Sequence, residues 1–407
     1  MNNSKVNNKQ RNNSNPRREN VRVSINTRRS RVVSGKRIST LNPDLLVNEA
    51  RPGMDEKVFR STRLINDLPI DMKLKKALAS KGYRRPTEIQ DRTLETLLEG
   101  KDILGIAQTG TGKTGAFLIP IIQKLLHSRL NSYALVVVPT RELALQVEEE
   151  FKSMTGGMRL YSACFIGGTN INRDLQTLQR NSHVVIATPG RLLDLTDRRA
   201  IDLGKFKTLV LDEFDRMLDM GFVRDVNRIL GGMRQRSHTM LFSATLDRSQ
   251  QEMINRILEN PVTVKVSEGN RSGDSIEQEI IRVKPGEDKF VILKDMLGQN
   301  DFKKVLLFEE TKHRVSRLCM KLNKAGITAD QIHGNKSQNA RQNALKAFKQ
   351  GKVKVLVATD VAARGLDISE VSHVINYQVP QNHESYIHRI GRTGRAGKSG
   401  KAYTFVI

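Results

Sequence analysis

The feature that most constrains this chain is a series of short, almost uninterrupted apolar runs. DILGIA, ALVVVP, YSACFI, HVVIAT, TLVLDE and TMLFSAT follow one another between residues 102 and 245. A strand with one face in water alternates apolar and polar residues, whereas a strand buried on both faces reads as continuous apolar sequence. The runs therefore predict a parallel sheet covered by helices on both sides. Amphipathic stretches such as GAFLIPIIQKLLH and ELALQVEEEFKSM lie between them and supply those helices. The alternation breaks at VSEGNRSGDSIEQ (266–278), where Gly, Ser and charge mark a linker. It resumes with KVLLF, a helix containing RVSRLCMKLNKAG, then ADQIHG, a further helix, VKVLVAT, HVINY and AYTFVI. The last run ends at Ile407, so a closing helix is expected to be lost or never present.

At 407 residues the chain is too long for one ordinary domain. The expected organisation is a basic N-terminal extension over 1–60, a first α/β domain over 61–266, a linker over 267–276 and a second α/β domain over 277–407. Apolar residues at 38% and charged residues at 27% suffice for two cores and a charged surface. The formal net charge of +25 is a liability through self-repulsion unless a polyanion is a regular partner, and nucleic acid is the first candidate. The bland alternative is a merely solubilising surface. Residues 1–40 hold eleven Lys and Arg against one acid, Glu19, with no aromatic residue. Such a segment cannot bury enough surface to offset its ordering entropy, so it is expected to be disordered. It reads as a tether that binds phosphates without sequence preference, with an inert tail or a localisation signal as alternatives. Cys164 and Cys319 lie in apolar segments and read as core residues rather than a disulfide or a metal site. No apolar run reaches membrane-spanning length and the N-terminus lacks a signal peptide's apolar core, which points to a cytoplasmic protein.

Two stretches carry chemistry. DILGIA runs into AQTGTGKT (107–114) and then into a helix, the context a phosphate-binding loop needs. Gly110 and Gly112 let backbone N–H groups turn towards an anion, and the helix adds its positive N-terminal end. Lys113 reaches the β- and γ-phosphates, and the Thr114 hydroxyl can ligate Mg²⁺. The bland reading is a Gly-rich turn. The second stretch, LVLDEFD, ends an apolar run in Asp212, Glu213, Phe214 and Asp215. In a parallel sheet the loops after the strands gather on one edge, so these acids arrive beside the phosphate loop. Asp212 is suited to Mg²⁺, Glu213 to polarising an attacking water, and Asp215 to hydrogen-bonding Ser243–Ala244–Thr245 at the end of a neighbouring strand. Helix N-caps would account for one of the acids, but hardly for three.

With these residues in place, roughly residues 60–407 resemble the DEAD-box family of ATP-dependent RNA helicases. The motifs occur in the family's order: GYRRPTEIQ (82–90), AQTGTGKT, PTRELALQ (139–146), Gly167–Gly168, TPGR (188–191), DEFD, SAT, LLFEETK, SQNAR, ATDVAARGLD (358–367) and HRIGRTGR (388–395). Each is weak to moderate by itself, and the ordered set is highly specific. The resemblance implies two tandem RecA-like domains, with ATP, Mg²⁺ and RNA as ligands. It places Tyr83 and Gln90 at the base. Gln108, Thr109, Gly110, Thr111, Gly112, Lys113 and Thr114 lie around the phosphates, with Asp212 and Glu213 beside them. From the second domain it brings Gly365, Asp367, His388 and the arginine fingers Arg392 and Arg395. Such fingers are worth roughly 10³–10⁵ in rate in other nucleotide hydrolases. RNA contacts are implied for Pro139, Thr140, Arg141, Gly168, Thr188, Gly190 and Arg191 on one domain, and for Gln338, Arg341 and Thr359 on the other. With no Trp and 5% aromatics, contacts to phosphates and 2′-hydroxyls outweigh base stacking.

Two positions depart from the family. Phe214 stands where Ala is usual, and Ile65 where an upstream Phe is usual. The carboxylates at 212, 213 and 215 are intact, so hydrolysis is expected to survive. Three readings of function follow: an RNA-dependent ATPase that locally separates short duplexes when its two domains close; an ATP-gated RNA clamp or ribonucleoprotein scaffold with little unwinding; and a DNA translocase. Intact DEFD and HRIGRTGR argue against a dead clamp, and GYRRPTEIQ against the DNA reading. A monomer resembling the short bacterial members is expected.

Overall fold

The computed structural model describes Phe59 and residues 61–108, 110–127, 133–266, 276–363, 371–394 and 400–406. The basic extension thus lies outside the described residues apart from Phe59, as do residues 267–275 of the expected linker. The first lobe holds strands β1 (Ile103–Ile106), β2 (Tyr133–Val137), β3 (Ser162–Phe165), β4 (Val184–Ala187), β5 (Phe206–Leu211), β6 (His238–Ser243) and β7 (Val262–Lys265). Their order is β3-β4-β2-β5-β6-β1-β7 and every pairing is parallel. The helices of this lobe are α1 (Met72–Ser80), α2 (Glu88–Leu98), α3 (Lys113–His127), α4 (Arg141–Met154), α5 (Ile171–Leu178), α6 (Pro189–Asp197), α7 (Phe214–Asp219), α8 (Val223–Gly232) and α9 (Arg248–Ile257).

The continuous apolar runs have the expected cause. In β2, Ala134 and Val136 join one apolar cluster, while Leu135 and Val137 join the cluster on the opposite face. Both faces of the strand are dry, so no position can be polar. The second lobe repeats the scheme with β8 (Ile276–Arg282), β9 (Val305–Phe308), β10 (Ala329–Ile332), β11 (Val355–Ala358), β12 (His373–Asn376) and β13 (Gly400–Val406). They lie in the order β10-β11-β9-β12-β13-β8, again all parallel. Its helices are α10 (Lys289–Gly298), α11 (Lys312–Lys324), α12 (Gln338–Lys349), α13 (Asp360–Ala363) and α14 (His383–Ile390).

Two strands escaped the sequence reading, and both are sheet edges. Among the described residues β7 pairs only with β1, and β8 only with β13. An edge strand has one free side, so its sequence can be polar and its signal fades. β8 begins at Ile276, the last residue assigned to the linker, because Ile276 and Gln278 both point into the lobe.

The strand order divides the first sheet's carboxyl edge into two halves. β1, β5 and β6 stand together and lead into AQTGTGKT, DEFD and SAT. β3, β4 and β2 stand together on the other half and lead into Gly167–Gly168, TPGR and PTREL. One edge thereby offers a phosphate-and-acid end and a separate end built from the starts of helices.

Candidate active site and nucleic-acid interface

The phosphate loop joins β1 to α3. Gly112 has φ +95°, and a Cβ there would stand 2.6 Å from Thr87 Oγ1 and 2.8 Å from Gln90 Nε2, so no larger residue fits. Lys113 opens α3 with 6% of its surface exposed, and its Nζ has no hydrogen-bond partner among the described residues. A buried, unpartnered ammonium is costly and marks a place for an anion. Thr111 Oγ1 closes the loop by donating to Gln108 C=O at 2.8 Å. Thr109 lies outside the described residues.

The acids of DEFD follow β5. Asp212 is buried, and burial pushes its carboxyl up to about 6 despite the nearby Lys113. Its Oδ1 accepts the Glu213 N–H at 2.9 Å. Glu213 occupies the left-handed region at φ 52°, ψ 51° as the N-cap residue of α7, yet makes no side-chain capping bond. Burial acts to raise its carboxyl, but Arg216, Lys113 and Arg392 together bring it below the ordinary value. Asp215 faces the other way. Its Oδ2 accepts from Ala244 N–H and Thr245 N–H at 3.0 Å each and from Thr245 Oγ1 at 3.2 Å, while Ser243 Oγ receives the Asp215 N–H at 3.4 Å. The three carboxylates make three different sets of contacts, and only Asp215, whose Oδ1 accepts the Arg216 N–H at 2.9 Å, helps satisfy the first turn of α7.

The oxygen donors suit Mg²⁺. The Thr114 hydroxyl and the Asp212 carboxylate are hard ligands, and a divalent cation would relieve the charge that burial disfavours on Asp212. Among the described residues no cluster of three His, Cys, Asp or Glu side chains could hold a metal alone. A cation here would complete its shell with phosphate oxygens and water.

The residues expected at the base, Gln90 and Tyr83, also bond within the lobe. Gln90 is buried; its Oε1 accepts the Thr87 N–H at 3.1 Å and its Nε2 donates to Gly112 C=O at 3.0 Å. It ties α2 to the phosphate loop, because Thr87 and Gln90 have capping-box spacing. Tyr83 donates its hydroxyl to Glu150 Oε1 on α4 at 3.0 Å, and burial raises its pKa well above the ordinary value. Ile65 is buried and donates its N–H to Arg84 C=O at 3.1 Å, so it packs against the 82–90 segment without an aromatic ring.

The second lobe reaches both halves of this edge. Arg392 follows α14, is buried, donates from Nε to His388 C=O at 3.3 Å, and bears electrostatically on Glu213. Arg389 is held by Asp360 and by Asn376 Oδ1 at 3.1 Å, which anchors this segment. Gly365, Asp367 and Arg395 lie outside the described residues. At the other half, Gln338 Nε2 donates to Glu142 Oε1 at 3.1 Å, and Arg341 pairs with Glu142 Oε2 at 2.9 Å. Gln338 and Arg341, expected on RNA, here latch α12 to the start of α4.

The helix-start half is strongly cationic. The Arg141 guanidinium lies against Gly168, where a Cβ would fall 2.3 Å from Nη1; Gly168 has φ +78°. Burial, then Arg341 and Arg191, hold Arg141 below its ordinary pKa against the opposing Glu142. Such crowding is relieved by an anion. Thr140 caps α4 by accepting the Leu143 N–H at 3.3 Å, directly after buried Pro139. Thr188 and Gly190 stand at the start of α6, with open space over Gly190. Thr359, half-buried, follows β11. Arg191, also expected on RNA, makes several contacts within the lobe. It is buried, donates to Ile166 C=O at 3.1 Å and Thr169 C=O at 2.6 Å, and pairs with Asp174 at 3.5 Å. It supports the Gly167–Gly168 turn from behind. Glu142 and Arg216 were missed in the sequence; an acid directly after Arg141 in PTRELALQ was the available signal for Glu142.

Comparison with known proteins agrees with this arrangement. Residues 87–254 match the DEAD/DEAH box helicase family and residues 288–397 the helicase conserved C-terminal domain. The chain is 44% identical over 345 residues to the DEAD-box ATP-dependent RNA helicase CshA of Bacillus licheniformis, covering 85% of this chain and 71% of that one. It is 43% identical over 341 residues to the ATP-dependent RNA helicase CshA of Listeria monocytogenes, covering 84% of this chain and 65% of the relative. The chain therefore spans about two thirds of these relatives. Among solved structures, S. cerevisiae Dbp5 bound to RNA and ADP–BeF₃ superposes with a TM-score of 0.75 at 31% identity, covering 85% of this chain and 90% of that one. Mss116p bound to single-stranded RNA and AMP-PNP gives 0.76 at 33% identity, covering 84% and 75%. The chain belongs to the DEAD-box helicase family, with Phe at the position from which the family's name takes its A.

Proposed function

We propose that this protein is an RNA-dependent ATPase that remodels RNA by closing its two lobes on a single strand. The observation that carries the reading is the buried, unpartnered Lys113 ammonium beside Asp212 and Glu213, with Arg392 of the other lobe acting on the same carboxylate. A triphosphate satisfies all of these charges at once. Lys113 and Arg392 neutralise its oxygens, and Glu213 orients the attacking water. Mg²⁺ held through Thr114 and Asp212 would offset charge on the phosphate oxygens. The starts of α4 and α6, with Arg141, form a phosphate-binding row that takes the RNA backbone without reading bases. Arg341 and Thr359 extend that row on the second lobe. Similar structures holding RNA and a nucleotide together support one closed state serving both ligands.

Closure couples the two ligands. Each favours the closed state, so each lowers the ordering cost of the other. A duplex cannot follow a backbone path across the closed cleft without bending, and one strand leaves. Saturating single-stranded RNA should raise the ATPase rate several-fold or more, and Glu213→Gln should trap ATP with RNA bound. A rate indifferent to RNA would overturn the coupling. Release of a short duplex separates unwinding from an ATP-gated clamp, which would bind and hydrolyse without displacing a strand.

A further inference from the structure

Glu213 is held in an unusual way. A residue with a Cβ in the left-handed region costs roughly 1–3 kcal/mol and persists only when its surroundings over-determine it. Three contacts do so. Its N–H is fixed by Asp212 Oδ1 at 2.9 Å. The next residue, Phe214, is fully buried and anchors the backbone. Its carboxylate Oε2 receives Arg216 Nη1 in an ion pair whose side chains are only 7% and 8% exposed.

We propose that Arg216 is a positioning residue for hydrolysis: it ties Glu213 Oε2 and leaves Oε1 as the carboxylate oxygen that orients the attacking water. The inference rests on the reading of Glu213 given above. As a stabilising device the pair would be weak, since a buried ion pair often gains little over apolar packing. As an orienting device it counts for more, because a charge-assisted bond from Nη1 to Oε2 engages one carboxylate oxygen and leaves the other free. Arg216 is the strongest of the cations that offset burial on Glu213. Lys113 and Arg392 also act on Glu213. Without Arg216, the carboxylate is free to swing towards those two cations, which are the ones a triphosphate needs. Arg216 thus keeps the general base away from the phosphate ligands.

The test compares Arg216→Met and Arg216→Lys in the wild-type and Glu213→Gln backgrounds, measuring RNA-saturated kcat, the KM for ATP, single-turnover hydrolysis and melting temperature. Arg216→Met should lower kcat about 10- to 100-fold, the scale set by loss of alignment, with KM changed by less than about threefold. Arg216→Lys keeps the charge without the planar fork and should fall between. In the Glu213→Gln background Arg216→Met should change the residual single-turnover rate by less than about twofold, because it acts through Glu213. Equal proportional losses in both backgrounds, or wild-type kcat in Arg216→Met, overturn the role of Arg216. If the Met variant does not fold, an intermediate kcat with unchanged KM in Arg216→Lys supports the role, and full activity overturns it. Undiminished turnover in Glu213→Gln alone overturns the reading of Glu213, and the role of Arg216 with it.

Discussion

Phe214 shows how one residue can change a motif without touching its chemistry. Its side chain is fully buried and joins the apolar cluster that also holds Leu211, Met217, Leu241 and Ile254. The carboxylates on either side point elsewhere, that of Glu213 towards Arg216 and that of Asp215 towards Thr245. Phe214→Ala should therefore cost stability rather than mechanism: about 3–5 kcal/mol from the lost burial and the cavity. ATPase activity measured well below the melting temperature should stay within about an order of magnitude, since alignment of Glu213 also rests on Asp212 and Arg216. Complete loss of turnover in a folded Phe214→Ala protein would show that the ring itself holds Glu213 in place. The sequence marked Phe214 as a departure from the family pattern, but could not say what it packs against.

At the scale of elements, the helix starts and the strand ends carry different functions. Helices begin where Thr140, Thr188, Asn170 and Lys113 stand, and these starts share one edge because every strand before them is parallel. The opposite edge of the second sheet is structural. There His373 at the start of β12 stacks on Phe302 with ring centroids 4.1 Å apart and lies 6.0 Å from Tyr403 of β13. Burial, with Lys401 nearby, pushes its pKa down to about 4, whereas an unfolded chain protonates its histidines near 6.5. Between those values the unfolded state binds the extra proton. Stability is therefore complete above about pH 6.5 and declines as pH falls towards 4. The melting temperature should drop between pH 7.5 and pH 5, and His373→Phe should shrink that drop by about 3 °C. An unchanged pH dependence in the variant would clear His373 of the effect. The edge strands β7 and β8 were the elements that sequence patterning did not reveal, for the reason that one free side relaxes the demand for apolar residues.

For the whole molecule, the decisive contact is Glu142 with Gln338 and Arg341. It joins the lobes at the end of the edge where Arg141 and the helix starts lie, while Arg392 bears electrostatically on Glu213 at the other end. Glu142→Gln removes a buried charge partner of Arg341 and leaves that guanidinium free for phosphate. RNA binding without nucleotide should hold steady or tighten. The gain in RNA affinity produced by a non-hydrolysable ATP analogue should shrink roughly tenfold if the Glu142 contacts, which join the two lobes, help couple the two ligands. Equal gains in wild type and variant would mean that the latch plays no part in coupling.

The sequence alone determined the sheet type, the two-lobe plan and the identity of the phosphate loop, because dry strands and Gly-Lys-Thr loops leave local signatures. It also placed Asp212, Glu213 and Asp215 on one edge through the logic of parallel strands. Only the tertiary structure decided how long side chains were spent. Gln90 and Arg191 turned inward to hold turns, Gln338 and Arg341 went to Glu142, and Arg216 went to Glu213. A guanidinium or an amide reaches several partners with similar energy, and which one it meets depends on distances that exist only after both lobes have folded.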